Sequence, residues 1–311
     1  MLFRNDQGNL WIGTENGGLN LYNIRAGTFE NYLQDDIDNT SLNNNSISSI
    51  CRDYKGNMWV GTASGGINFV SRDANKFTHY RQSSLPFSLS NNVMISIFED
   101  SRENLWIGTD GGGLNLFDDK KGNFTAYKHN PLNRNSICGN YVLEVFEDSE
   151  GSLWIAPWGD GIAVFNKEKN TYKHFKYDPS NVKGIPRSNI RTIAEDADKN
   201  IWIGTYGGGI SQCDRKKDNF INYHSDKTNP SGLSNNYVNS IYGDKKGNLW
   251  IGTNGSGLEL FNKKTKTFTH FSHEDGKAGI GNNHVYGLEE DENGNLWIGT
   301  SLGLNRINLL T

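Results

Sequence analysis

Seven times in 311 residues the chain writes a Trp inside the phrase N-L-W-I-G-T or a near copy, at Trp11, Trp59, Trp106, Trp154, Trp202, Trp250 and Trp297. The spacings are 48, 47, 48, 48, 48 and 47 residues. A period this constant confines the chain to repeat architectures, where one unit cannot bury its apolar face alone and must stack on its neighbours.

Each period has the same internal grammar. An apolar run ending in acid, such as "SIFED" or "EVFED", leads into a turn such as "DYKGN" or "DENGN". Then come "LWIGT", a Gly-rich turn, "GLNLF" or a relative, and an aromatic-rich run such as "NFTAYKH". Four short runs rich in β-branched and aromatic residues, each bounded by Gly, Asn or Asp, predict a four-stranded antiparallel meander, with strands A to D. The 36 glycines and 12% aromatic residues agree with many turns and many strands. Blades of this kind stack face to face, and a ring closes the stack without long free edges. The expected fold is therefore all-β, a seven-bladed β-propeller of four-stranded antiparallel blades, spanning residues 1–311 as one domain. The first period opens at strand A and the seventh stops after strand C, so the last blade is expected to lack its outer strand. A fragment of a longer polypeptide is the expectation from that pattern.

The recurrent Trp predicts a wedge between blades. An Asp six residues earlier (Asp53, Asp100, Asp148, Asp196, Asp244 and Asp291) is placed to accept N–H bonds across the A–B turn. "DENGN" lacks the 12-residue ligand spacing of a calcium loop and reads as a hairpin. Glu99, Glu147, Glu195 and Glu290 recur at one repeat position and point to a structural turn, not to paired catalytic carboxylates. His79, His129, His174, His224, His270 and His273 fall in or just after strand D, where solvated side chains are expected. No nucleophile or zincin motif occurs, and no metal or cofactor is implied. Cys51, Cys138 and Cys213 lie in different repeats with no metal or disulfide spacing. The formal charge of −4 without a basic stripe argues against nucleic acid. Neither a signal peptide nor an apolar run of 18 residues is present, so this region shows no membrane insertion of its own.

The pattern D-x-x-G-N-L-W-I-G-T-x-x-G-G-L-N, together with the tags "SLSNNVM", "GLSNNYV" and "GIGNNHV" before strand A, resembles the two-component regulator propeller repeat over the whole chain. That resemblance implies the periplasmic sensor region of a hybrid two-component histidine kinase of Bacteroidetes type. It implies responses to small-molecule or oligosaccharide ligands. Its implied partners are a neighbouring propeller or immunoglobulin-like domain of the same receptor, or a second copy in a homodimer. No kinase, nucleotide-binding or receiver motif occurs here, so this region is not expected to be an enzyme. Two alternatives stand beside it: a docking or spacer propeller without its own ligand, and a metal-dependent propeller enzyme resembling the streptogramin lyases. For the enzyme, only His284 lies near the rim.

In a meander the B–C turns and the D-to-A connections share one face, where loops gather and function concentrates. The B–C turns read "TENGG", "TASGG", "TDGGG", "PWGDG", "TYGGG", "TNGSG" and "TSLG". Blade four departs most, with Pro157 for Thr, then Trp158 and Asp160. Blade five puts Tyr206 where blade four has Trp158, and blade three contributes Asp110. Just after the Asn-Asn tag the chain varies through Ser46, Val93, Tyr141, Asn189, Tyr237 and His284. Two residues on, Arg191, Asn239 and Tyr286 are expected on the same side of the strand. Aromatic rings beside carboxylate and amide groups suit a sugar, so the candidate ligand-binding residues are Trp158, Asp160, Tyr206, Asp110, Tyr141, Arg191, Tyr237, Asn239, His284 and Tyr286. The competing reading of Trp158 is that it fills a gap or meets a neighbouring domain.

Overall fold

The computed structural model describes residues 1–5, 8–72, 76–215, 217–274 and 279–309. Among these, 27 strands form seven antiparallel sheets, each wound in chain order, six of four strands and a last one of three. The fold is the seven-bladed β-propeller that the repeat predicts. Blade three shows the unit: strand A at Met94–Glu99, B at Leu105–Thr109, C at Gly113–Asp118 and D at Asn123–Tyr127. Blade seven has A at Val285–Glu290, B at Asn295–Thr300 and C at Gly303–Asn308.

Two compact units divide the chain. One comprises Met1–Glu147, Gly151–Pro157 and Ala163–Tyr172; the other comprises Asp148–Glu150, Trp158–Ile162 and Lys173–Thr311. In the first, Trp59 packs with Met94, Ile97, Leu105 and Phe117 of the next blade, its ring centroid 4.8 Å from that of Phe117. Trp106 joins Val142, Val145, Leu153 and Ile155 in the same way. In the second, Trp202 meets Phe261 at 5.2 Å among Val238, Ile241, Leu249 and Ile251. The wedge is thus the device that joins consecutive blades. Truncating such a buried Trp to Ala typically costs about 3–5 kcal/mol.

A wedge this deep needs an acceptor for its indole N–H, and the turn Asp supplies it. Trp202 Nε1 donates to Asp196 Oδ2 at 2.8 Å, while the Asn200 backbone N–H donates to Asp196 Oδ1 at 3.0 Å. The same geometry recurs at Asp53, Asp100, Asp244 and Asp291. These bonds hold the Asp100, Asp196 and Asp291 carboxyls below their ordinary range despite burial, which pushes the other way.

The strand A glutamates do more than shape their own turn. Glu99 accepts from the Tyr54 backbone N–H at 3.0 Å, Glu195 from Ser149 at 2.8 Å and Glu290 from Lys245 at 3.0 Å, each in the turn of the preceding blade. Glu147 does the same for Ser101. Lys167 Nζ then reaches back from blade four to Asp100 at 2.9 Å and to Glu147, with 6% and 0% exposure on the Lys and Asp side chains. The sequence marked these carboxylates as structural but not as latches between blades.

Several strand D histidines also depart from the solvated expectation. His79 Nε2 lies 2.9 Å from the Ser41 carbonyl and His129 Nδ1 2.7 Å from that of Ile137, so these rings hold the loops that lead into strand A.

Candidate functional site

The tag before strand A sets the rim. In blade six, Asn235 Oδ1 accepts from the Tyr237 backbone N–H at 2.9 Å, while its amide donates to the Asn254 carbonyl in that blade's B–C turn at 3.1 Å. The carbonyl of the second Asn, Asn236, accepts from Gly207 and Gly209 of the preceding blade's turn at 2.9 and 3.0 Å. In blades two, three and six the tag thus ties its own B–C turn to that of the blade before, and the next residue emerges over the earlier turn. Tyr237 lies over Gly207, His284 over Gly255 and Asn189 over Gly159. Gly207 and Gly255 have φ of +99° and +108°. A side chain there would be strained by the backbone alone, since its Cβ would lie in ordinary contact with the overlying ring.

On this floor the second unit builds an arc of aromatic rings. Trp158 and Tyr206 centroids lie 5.8 Å apart, and Tyr206 and Tyr237 lie 4.6 Å apart in an edge-to-face contact. All three stay open to solvent, at 38%, 39% and 44% exposure. The arc is backed by an antiparallel bridge between Tyr206 and Tyr237, and a second bridge, Asn254 with His284, continues the rim. His284 Nδ1 lies 2.7 Å from Asn254 Oδ1, an arrangement in which Nδ1–H donates to the amide oxygen and leaves Nε2 facing outward from that bond.

Pro157 explains why blade four departs from the repeat. Thr109, Thr205 and Thr253 each donate a hydroxyl to the carbonyl of the glycine four residues on, at 2.9, 3.0 and 2.8 Å. Proline has neither that hydroxyl nor an N–H. The B–C ladder of blade four pairs as far as Ile155 with Ala163, whereas that of blade three extends to Thr109 with Gly113. The looser turn presents Trp158 and the exposed Asp160 outward.

Arg191, Asn239 and Tyr286 do not follow simple strand alternation. The A–B register shifts at Ile190/Thr192, Val238/Ser240 and Val285/Gly287, so each of the three is the extra residue of a β-bulge, which re-aims its side chain. Asn239 turns toward the next blade and donates to the Val285 carbonyl at 3.0 Å, a brace between blades. Arg191 is exposed, and Tyr286 is 50% exposed with its hydroxyl 3.5 Å from Ser301 Oγ. Asp110 and Tyr141 belong to the first unit. Tyr141 is 40% exposed, and partial burial followed by the Asp110 carboxylate raises its phenol above the ordinary value.

Two further residues reach the rim without having been singled out. Arg187 occupies the place of the first tag Asn, and its stem lies 2.8 Å from where a Cβ on Gly208 would sit. Its guanidinium lies over the Tyr177 ring at 5.4 Å and donates to that hydroxyl at 3.1 Å. The signal was present in "IPRSN", where Arg breaks the Asn-Asn tag. Among the described residues no group of three or more His, Cys, Asp or Glu is placed to hold a metal ion. Nor is any helix among them long and apolar enough to cross a membrane.

Comparison with known proteins agrees with this architecture. The two-component regulator propeller family matches residues 41–64, 88–111, 184–207, 232–255 and 279–301. No curated protein sequence matches the chain. Among solved structures, the extracellular domain assigned to the hybrid two-component system BT3049 of B. thetaiotaomicron superposes with a TM-score of 0.82 at 24% identity, over 98% of this chain and 39% of that one. PorZ, a surface component of the type-IX secretion system of Porphyromonas gingivalis, gives 0.74 at 18% identity over 99% and 46%. Virginiamycin B lyase of Staphylococcus aureus gives 0.70 at 14% identity over 97% and 92%. At such identities the likeness is one of fold. The chain spans less than half the length of the first two.

Proposed function

We propose that this chain, built of two-component regulator propeller repeats, is an extracytoplasmic sensing region of a hybrid two-component receptor, and that its blade four to six rim binds a saccharide. The observation that carries the reading is the arc of Trp158, Tyr206 and Tyr237, three adjacent rings left exposed on a hydrogen-bonded floor. Aromatic faces take the apolar C–H face of a sugar ring. Asp160, Arg187, Arg191, Asn254 and His284 Nε2 supply donors and acceptors for hydroxyl groups on either side. BT3049 is assigned to a hybrid two-component system, and the repeat family supports the same role. The periplasm is the compartment that fits an extracellular sensor of this type.

Signalling requires no chemistry from the propeller. Ligand shifts an equilibrium between receptor arrangements only by its differential affinity for them, and a stiff rim transmits that preference to a neighbouring propeller, an immunoglobulin-like domain or a second copy.

Calorimetric titration of a glycan-fragment panel against the wild-type chain and Trp158→Ala tests the reading. Binding by the wild type, weakened about 30-fold in the variant as befits loss of a central aromatic anchor of about 2 kcal/mol, supports it. Saccharide binding that Trp158→Ala leaves unchanged would move the site elsewhere. Absence of binding by a folded wild-type chain would favour a docking face instead.

A further inference from the structure

The residue after the leading Leu or Ile of strand C holds the tag that enters strand A. In blades two, three and seven it is an asparagine, Asn68, Asn115 or Asn305, whose side-chain oxygen accepts the backbone N–H of Asn43, Ser90 or Gly281 at 2.8, 3.1 and 2.7 Å. Blade six has Glu259 there, 0% exposed, and its Oε1 takes the Ser234 N–H at 3.0 Å together with the Ser234 hydroxyl. An amide does the same work in three other blades without titrating, so the carboxyl adds something the fold itself does not require.

The other carboxyl oxygen faces a histidine. Glu259 pairs with His270 across strands C and D, and its Oε2, which has no hydrogen-bond partner, lies 3.4 Å from His270 Nδ1. His270 Nε2 lies 3.0 Å from the Pro230 carbonyl. A carbonyl only accepts, so Nε2 carries a hydrogen, and a neutral ring then turns a bare Nδ1 lone pair toward Oε2. One proton between these two atoms, on the imidazole or on the carboxyl, satisfies both; without it a buried carboxylate faces a lone pair. Burial pushes the Glu259 carboxyl up, against the opposing pull of the Ser234 bonds and of His270, the charged partner it meets. The other elements around it bring apolar groups: Ile251 from strand B, Leu233 beside Ser234, and from blade five the Trp202 and Tyr223 rings that pack on Phe261. The charged residues of the loop, His224, Asp226 and Lys227, are exposed toward its start, with Asp226 Oδ1 held by the Thr228 N–H.

We propose that Glu259 and His270 form a proton-dependent clasp on residues 230–237, the segment that carries Tyr237 into the aromatic arc: one shared proton keeps the clasp shut, and its loss opens it. The pair grips the segment at Pro230 and at Ser234. Asn235, next in line, accepts the Tyr237 N–H at 2.9 Å, so the grip passes to the ring that meets Tyr206. A pair without its proton is relieved only when water reaches Oε2, and what covers that atom is the His270 side chain, 32% exposed, with the loop it holds. The clasped arrangement binds the proton more tightly than the open one, so it is favoured at low pH and is lost as pH rises through the raised carboxyl value. As control of the rim the inference rests on the saccharide reading; as a clasp it is tested without any ligand.

Amide exchange of the folded chain, followed across pH and corrected for the intrinsic rate, reads the clasp directly. Protection of the Ser234 amide, and of the Phe268 amide that bonds to the Ser231 carbonyl at 2.8 Å, should fall by up to about tenfold per pH unit above the Glu259 titration, as release of one proton requires. In Glu259→Gln the side-chain oxygen still serves Ser234 while the NH₂ donates permanently to Nδ1, so protection should hold constant with pH. The same pH dependence in both proteins would overturn the proposal. So would a Glu259 carboxyl carbon-13 shift, read in the unaltered chain, that titrates at or below the ordinary value of about 4.3, a measurement that does not depend on the variant folding. For a saccharide that binds the wild type, affinity should weaken with rising pH and hold in Glu259→Gln; the same course in both would overturn the control of the rim. If no saccharide binds either protein while the exchange result holds, the saccharide reading fails and the clasp stands.

Discussion

Asp196→Asn tests the physical account of the wedge. In the native chain the two carboxylate oxygens divide the work: Oδ1 accepts from the backbone N–H groups of Asp198 and Asn200 at 2.9 and 3.0 Å, and Oδ2 accepts from Trp202 Nε1 at 2.8 Å. Lys263 Nζ lies 2.9 Å from Oδ2, with the Asp side chain 0% and the Lys side chain 22% exposed. An amide of the same shape has one oxygen. It can serve the turn or the indole, and the other side then faces an N–H with an NH₂. Trp202 is 1% exposed, so no water replaces the lost acceptor. A buried donor without a partner costs about 1–3 kcal/mol, and loss of the Lys263 attraction adds to this, giving about 3 kcal/mol in all. At about 2–4 °C per kcal/mol, the melting temperature should fall by about 8 °C at neutral pH.

The pH dependence sharpens the test. The Asp196 carboxyl lies below its ordinary value in the fold, so its contribution is present above the unfolded carboxyl's titration range and is lost as pH falls through the lower folded value. The gap between wild type and Asp196→Asn, followed by thermal unfolding from neutral pH downward, should therefore narrow only below about pH 4. A variant melting within about 1 °C of wild type, or a gap that persists into strong acid, would refute the role given to this carboxylate.

Glu259 is the opposite case, a carboxyl pushed up by burial: Oε1 takes the Ser234 N–H at 3.0 Å, while Oε2 lies 3.4 Å from His270 Nδ1. Its contribution is fully present below the unfolded carboxyl value and is lost as pH rises through the higher folded one, so Glu259→Gln should exceed wild type in stability at neutral pH and converge with it in acid, as unfolding across that range will show. Gly108→Ala should cost more than about 3 kcal/mol, because the new Cβ would sit 2.3 Å from Ser96 Oγ and 2.6 Å from the Val142 carbonyl oxygen. Gly111→Ala, with φ of +80° but open space around it, should cost about 1 kcal/mol, and denaturant unfolding of the pair separates overlap from backbone strain. Trp158→Ala should leave the melting temperature within about 2 °C of wild type, since a 38% exposed ring on a turn contributes little to the core.

Legibility followed repetition. The 48-residue period, strands A to D, the short last blade, the wedge and its Asp could all be read, because each depends on local chemistry stated up to seven times. Trp158 and Tyr206 could be read as a pair because each stands out in a repeated turn. Arg191, Asn239 and Tyr286 could not be aimed correctly, since a bulge alters side-chain direction and leaves only a weak trace in composition. Arg187 was legible as a broken tag, but its approach to Gly208 and its stacking on Tyr177 were not.

The sequence by itself determined the unit, its count and its turns, because strand alternation and turn geometry are properties of neighbouring residues. Tertiary structure alone decided which blade each carboxylate latches and that Tyr237 overhangs Gly207 and meets Tyr206. Those outcomes depend on where one repeat's side chains end up against the next repeat's backbone, some 45 residues away, as in the bonds from Tyr54 to Glu99 and Ser149 to Glu195. A period fixes that separation along the chain, but only packing converts it into contact.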